Sequence, residues 1–216
     1  MIQFMFLAIS FFVLLFFYLG TRVKLSTVLV ALMLSIVLSF VSFTGFFQKT
    51  DGLPPRMLWL LLYMLLFVGY VYRSLNLGEI NIRYLLAIHV LRIPVEFGLY
   101  KLYLQGELLC LMTFMGWNMD VLFGISALAL LIYTFRSGKP IDVRLFQIWN
   151  IVGILFLTSI VGLAILSAAS PFQLFAFDQP NRALLTFPYI LLPGLIVPIV
   201  LLAHLLCLFP KKGAEA

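Results

Sequence analysis

Stretches of about 20 mostly apolar residues follow one another along nearly the whole chain, broken only by short runs rich in glycine, proline and charge. A helix of that length crosses a hydrocarbon core about 30 Å thick, since each residue rises about 1.5 Å. In lipid the helix also satisfies its own backbone, which an irregular segment cannot do. The chain is 64% hydrophobic and 10% charged, with a mean hydropathy of +1.15, against roughly half and about a quarter for a soluble domain. This predicts an integral membrane protein, all-α, forming a single transmembrane domain over residues 1–216 with no room for a separate soluble unit.

The breaks place seven predicted transmembrane helices at residues 2–19, 25–47, 57–72, 80–104, 119–135, 146–168 and 184–209. Between them stand turn sequences such as GTRVK, QKTDGLPPR, RSLNLGE and FRSGKPID. The two longer connections, 105–118 and 169–183, are expected to hold structured lids or interfacial turns. The opening MIQFMFLAISFFVLLFFYLG has neither a basic leading segment nor a small-residue cleavage site, so it is expected to be retained as the first span. With the N-terminus outside, the inner loops and tail carry Arg22, Lys24, Arg73, Arg83, Arg136, Lys139, Arg144, Lys211 and Lys212. The outer side carries Lys49, Arg56, Lys101 and Arg182. Nine positive residues against four predict N-out, C-in, because Lys and Arg near span ends stay in the cytoplasm. The net charge of +6 is then a signature of orientation, and nucleic acid is not an expected partner.

Within the fourth span, HVLRIPVEFGLY sets ionisable groups at membrane depth. At about 100° per residue, His89, Arg92, Glu96, Tyr100 and Tyr103 fall on one narrow face. Charge at that depth is costly, so this face is expected to look into the bundle and find partners. Arg92 and Glu96, four apart, can pair with each other, in the weaker order for that spacing. Pro94 cannot donate to the Val90 carbonyl, which predicts a kink. Two readings stay open: a structural ion pair that fixes helix register, or a binding or proton-handling site. For the second, an outward-opening pocket of Arg92, Glu96, Tyr100, Asn118, Asp120, Asp178 and Asn181 is expected, with Arg92 orienting an anionic group or paired with Glu96. Asp120 and Asp178 can equally be capping residues, and Trp117 an interfacial anchor.

Pro188, Pro193 and Pro198 predict a bent or locally unwound seventh span. His89 and His204 are expected at similar depth, which opens an alternative in which they ligate a b-type haem. Two histidines alone make a poor zinc site, and no cofactor or metal is predicted otherwise. No lysine lies in the last span for a retinal Schiff base, and no nucleophile has a companion base, so an enzyme is not expected. The Ser35, Ser39 and Ser42 stripe, and Thr158 with Gly162, are expected to serve close helix packing.

The stretches HVLRIPVEFGLYKLYLQGE, MTFMGWNMDVLFG, FAFDQPN and FPYILLPGLIVPIVLLAHL resemble, in the same order, a group of bacterial multi-pass membrane proteins to which no activity is assigned. The resemblance covers about residues 89–204. It implies a seven-helix architecture in a bacterial inner membrane and transfers no catalytic residue. The expected function is small-molecule or ion transport or binding, with a small polar or anionic ligand at the fourth-span polar centre. The alternatives are a haem-binding electron-transfer protein using His89 and His204, and a structural subunit of a membrane complex. Cys110 and Cys207 are expected to be free thiols at opposite faces of the membrane. Membrane-impermeant thiol labelling should therefore reach them from opposite sides, and modification of both from one side would overturn the seven-span reading.

Overall fold

The computed structural model describes residues 2–49, 52–75 and 80–209. Lys211 and Lys212, which entered the orientation argument, and parts of the second and third turns (50–51 and 76–79) lie outside the described residues. The helices are α1 (Ile2–Thr21), α2 (Leu25–Phe43), α3 (Leu58–Ser74), α4 (Ile82–Val90), α5 (Arg92–Leu104), α6 (Asp120–Ser137), α7 (Val143–Leu166) and α8 (Val197–Leu208). Among the described residues there is no strand. Four of them, α1, α2, α6 and α7, are long and apolar enough to cross a membrane. The exterior fits that reading, because large apolar side chains point outward all round the bundle. Phe4, Phe40, Leu66, Phe135 and Leu155 are each more than 60% exposed, far more apolar surface than a water-soluble monomer shows. The interior is the reverse, with Arg92, Glu96, Asn150 and His204 all buried.

Pro94 acts as the sequence requires. The fourth predicted span is interrupted at Leu91, between α4 and α5, one residue past the Val90 carbonyl that the proline cannot serve. Contacts between chain ends sort the elements into two layers. At one end, the Asn81 N–H donates to the Gly20 carbonyl at 2.8 Å, and Arg83 at the start of α4 donates to the Thr134 carbonyl near the end of α6 at 3.2 Å. At the other end, Ser42 near the end of α2 donates to the Leu185 carbonyl at 2.9 Å. There too, Gln179 donates to the carbonyls of Tyr103 and Leu108 at 3.0 and 2.6 Å.

α6 runs antiparallel to α4 and α5, and the pairing continues beyond its helical part. Gly124 lies against Ile93, where a β-carbon would stand 2.6 Å from Ile93 Cγ1 and 3.1 Å from its backbone nitrogen. Ahead of α6, a 3-10 turn at Cys110–Met112 is followed by residues 113–119, which are non-helical yet keep the same register along α5: the Phe114 ring is 4.9 Å from that of Tyr100 and 5.8 Å from that of Phe97. The longer connection thus folds back into the bundle. Its turns are closed by Gly116 N–H to the Thr113 carbonyl at 2.9 Å and Trp117 N–H to the Leu111 carbonyl at 3.0 Å. Gly116 presses directly on the Leu111 backbone, where no β-carbon fits.

The seventh predicted span is not one helix. A 3-10 turn, Ala183–Leu185, precedes a π-helical turn at Leu192–Ile196 that contains Pro193, and only then does α8 begin. A missing donor in the ladder is what a π turn accommodates. This π turn lies against α2, with Gly194 seated on Leu38. Ser35 and Ser42 are buried on that side of α2, as expected for close packing. Thr158 and Gly162 are not used that way: Thr158 is exposed and bonds the Ile154 carbonyl within its own helix, and nothing lies within 4 Å of the space beside Gly162. α7 instead makes its close approach through Gly153, whose vacant β-carbon position is occupied by the His204 ring. Substitution separates the two kinds of glycine. Gly124→Leu is expected to lower stability by about 1–3 kcal/mol and Gly162→Leu by less than about 0.5 kcal/mol, read as thermal unfolding in detergent; equal effects would contradict the packing described.

Candidate functional site

The polar face of α4 and α5 looks into the bundle, and its partners come from three other elements. Arg92 is 4% exposed. Its Nη2 donates to Asp120 Oδ1 at 2.6 Å, at the first turn of α6. Nη1 lies 3.4 Å from His204 Nε2 on α8, and the guanidinium stands over the Phe123 ring at 5.2 Å from its centroid. Nε has no partner. The expected Arg92–Glu96 pairing is not what forms: Asp120, reaching across from α6, takes the guanidinium. The Arg-before-Glu order along one helix is weak, whereas Asp120 meets Arg92 directly from the facing helix.

The tautomer of His204 follows from its neighbours. A guanidinium has no acceptor, so Nε2 accepts and Nδ1 carries the hydrogen it donates to Asn150 Oδ1 at 2.9 Å. Asn150 Nδ2 donates in turn to the Phe146 carbonyl at 2.8 Å, which fixes the amide orientation. Asp120, Arg92, His204 and Asn150 therefore form one chain of polar contacts across α6, α5, α8 and α7. The His89 ring lies 4.0 Å from that of His204, tilted by 32°, and meets Trp149 edge-on at 5.2 Å. Neither ring nitrogen of His89 has a partner. The two histidines do lie at one depth, as expected, but the rings are in direct contact at 4.0 Å, and His204 already commits both nitrogens. This geometry does not fit axial ligation of a haem, which requires a porphyrin between the two rings.

Glu96 takes a different partner. Asn118 Nδ2 donates to Glu96 Oε1 in a short contact and to the Met112 carbonyl at 3.1 Å. Asn118 Oδ1 accepts from the Asp120 N–H at 3.1 Å. The capping role considered for Asp120 thus belongs to Asn118, which frees the Asp120 carboxylate for Arg92. Glu96 Oε2 has no partner, although the residue is 1% exposed.

Glu96 borders a partly open cavity of about 110 Å³. Its walls come from α3, α5, α7 and the start of the seventh span, with Met64, Leu99, Leu157 and Pro193 typical of the lining. Four side chains interrupt that apolar wall: Glu96, Asn118, Asp120 and Asn181. Asn181, on the connection after α7, donates from Nδ2 to the Ala164 carbonyl at 3.2 Å, and its Oδ1 is buried without a partner.

Of the residues singled out in sequence, Arg92, Glu96, Asn118 and Asp120 come together, and Asn181 joins them at the cavity. Tyr100 does not: its ring packs on Phe114 and Tyr103. Asp178 is exposed, and its neighbour Gln179 ties the connection to α5. Sequence reasoning missed Asn150. Its signal was the three-residue spacing to Gly153, a polar and a small residue on one helix face, as close interhelical contacts use. Among the described residues no group of three or more His, Cys, Asp or Glu is placed to hold a metal ion. Both cysteines, Cys110 and Cys207, are free thiols, as expected.

The chain matches no family model, no curated protein and no solved structure.

The ion pair yields a stability test. Asp120→Asn keeps the shape but leaves the Arg92 charge buried without its counter-ion, and is expected to destabilise by about 3–5 kcal/mol. Adding Arg92→Met should restore most of the loss. Thermal unfolding of the two variants in detergent measures both effects, and no recovery in the double variant would mean that Arg92 has other essential partners.

Proposed function

We propose that this chain is a seven-span protein of a bacterial inner membrane, oriented N-out and C-in, that binds a small molecule at its polar centre and moves it into or across the bilayer. The observation that carries this reading is the cavity, an apolar chamber whose wall is interrupted by Glu96, Asn118, Asp120 and Asn181. Binding sites for small molecules have this composition, apolar walls with a few converging polar groups. The alternation of chain ends between two layers supports seven passes, with α4 and α5 together making the fourth and residues 111–137 the fifth. The excess of Lys and Arg on one side supports the orientation, and the resemblance over about residues 89–204 supports the bacterial setting.

Two features support movement as well as binding. The fifth pass begins as irregular chain at the depth of Glu96, and the seventh contains a π turn at Leu192–Ile196. Non-helical backbone at membrane depth is tolerated where it is packed in protein or lines a cavity, and transporters build sites from it. Pro193 and Val197 line this cavity, so a change at the π turn changes its shape. Arg92 is not among the cavity-lining residues, and its role here is to hold Asp120 and His204 in place.

The test is a bound small molecule. Protein purified gently from its native host should release one on denaturation, detected by mass spectrometry. Glu96→Gln should abolish or sharply reduce that yield while elution profile and helicity stay as in the wild type. Ala164→Phe, which fills the cavity and leaves Glu96 intact, should do the same. Undiminished yield in both variants would return Glu96 and Asn118 to a purely structural role.

A further inference from the structure

The cavity's polar end is chemically one-sided. Two of the four polar residues on its wall, Glu96 and Asn181, each carry a fully buried oxygen without a partner, Oε2 and Oδ1, and both residues are at least 97% buried, with 1% and 3% exposure. Each is oriented through its other polar atom: the Asn181 amide nitrogen is held by the Ala164 carbonyl, and Glu96 Oε1 accepts from Asn118. Asn118 itself has no donor left over, since its nitrogen serves Glu96 and Met112. What the wall offers a ligand is therefore oxygen atoms, with Glu96 Oε2 and Asn181 Oδ1 the fully buried ones among them. Leaving such atoms buried without donors is costly, so they point to an occupant that supplies donors.

Charge narrows the class. Arg92 is matched by Asp120 at 2.6 Å, which leaves Glu96 without a counter-charge of its own. A buried carboxyl in that position either holds a proton or, as the anion, needs a cation beside it. Shape narrows it further. Beyond these groups the wall is apolar, and among its half-buried lining residues are Leu61 of α3 and Val161 and Ile165 of α7, which we take as its rim. An occupant entering past such a rim is aliphatic along its length.

Resting on the small-molecule reading above, we infer that the cavity takes an aliphatic primary ammonium, its head donating to Glu96 Oε2, with Asn181 Oδ1 a second acceptor on the same wall, and its chain lying between α3 and α7. The cavity's 110 Å³ is below the volume of about 150 Å³ at which an engineered apolar cavity holds benzene. A short alkyl chain is what it accommodates, with the remainder reaching into the rim. The ammonium can belong to a free amine or to the headgroup of an aminophospholipid, and the chemistry at Glu96 is the same for both.

The probe is hexylamine, added to the full-length protein in nanodiscs of phosphatidylcholine and read by isothermal titration calorimetry beside hexan-1-ol and hexanoate. Each probe is corrected for partition into empty discs. Hexylamine is expected to bind, the alcohol and the acid to bind at least about tenfold more weakly, and Glu96→Gln to weaken hexylamine by about tenfold or more. Val161→Phe, which narrows the rim and leaves Glu96 untouched, should also abolish binding and guards against a folding defect in Glu96→Gln. Including phosphatidylethanolamine in the disc separates the two sources: competition with hexylamine assigns the headgroup, and no competition assigns a free amine. Equal binding of the alcohol or the acid overturns the assignment of a cation, as does hexylamine binding that survives both substitutions. If no probe binds while a host molecule still co-purifies and is lost in Glu96→Gln, the ammonium class falls and the small-molecule reading stands. If nothing co-purifies either, both fall.

Discussion

A guanidinium buried in an apolar bundle cannot be left to solvent, and much of the interior is arranged around that requirement. Arg92 draws Asp120 from α6, His204 from α8 and, through His204, Asn150 from α7. One side chain therefore specifies the mutual placement of four helices at a single depth. The contacts are directional where the surrounding apolar packing is not, and in lipid apolar packing alone gives little preference for one helix neighbour over another. Glycine makes the arrangement possible. Gly153 leaves the space that the His204 ring fills, and Gly124 lets α6 close on Ile93 so that Asp120 reaches Arg92.

The irregular stretch before α6 has its own reason. If the fifth pass were helical up to the level of Leu104, its backbone donors would be spent internally and no carbonyl of Met112 would turn toward Asn118. Unwinding over residues 113–119 lets Asn118 bridge three groups: the Met112 carbonyl, Glu96 and the Asp120 N–H. The backbone groups released in this way are taken up by turns closed on Gly116, whose missing side chain allows the chain to pass over Leu111. At the same end, Gln179 and Asn181 fasten the other long connection to α5 and α7, closing the cavity over its polar end.

The helices were legible because the apolar runs are long and the breaks carry turn chemistry; predicted and observed ends differ by two or three residues for most of them. The interruption of the seventh span was legible from Pro188, Pro193 and Pro198, and a π turn does contain Pro193; the kind of turn was not, since hydropathy cannot distinguish a π turn or a 3-10 turn from regular helix when all are equally apolar. The polar face of the fourth span was legible from helical spacing, but its pairing was not. Spacing along one helix relates Arg92 to Glu96, and nothing in the sequence relates Arg92 to a residue 28 positions away. Tyr100 was drawn into the expected site by lying on the same face as Glu96, yet Phe114 covers it. Asp178 was drawn in because its connection lies at the same end as Asn118 and Asp120, and a charge on a connection is served by exposure. Asn150 was overlooked because a single asparagine in an apolar helix carries weight only once Gly153 is recognised beside it.

The two buried carboxylates end in different states of commitment, and the difference comes from the backbone around them. Asp120 sits in the first turn of α6 with its own N–H capped by Asn118, so its carboxylate is free to pair with Arg92 as closely as a charge-assisted bond allows. Glu96 sits mid-helix on α5, one turn beyond Arg92, and faces the unwound segment instead of a cation. The single donor that Asn118 can spare covers one of its oxygens. An ion pair and a half-satisfied carboxylate therefore stand one helical turn apart, the first fastening helices together and the second facing the cavity. In a chain that fastens four helices through one arginine, the group left with unused hydrogen-bonding capacity is the one where a ligand gains most by binding.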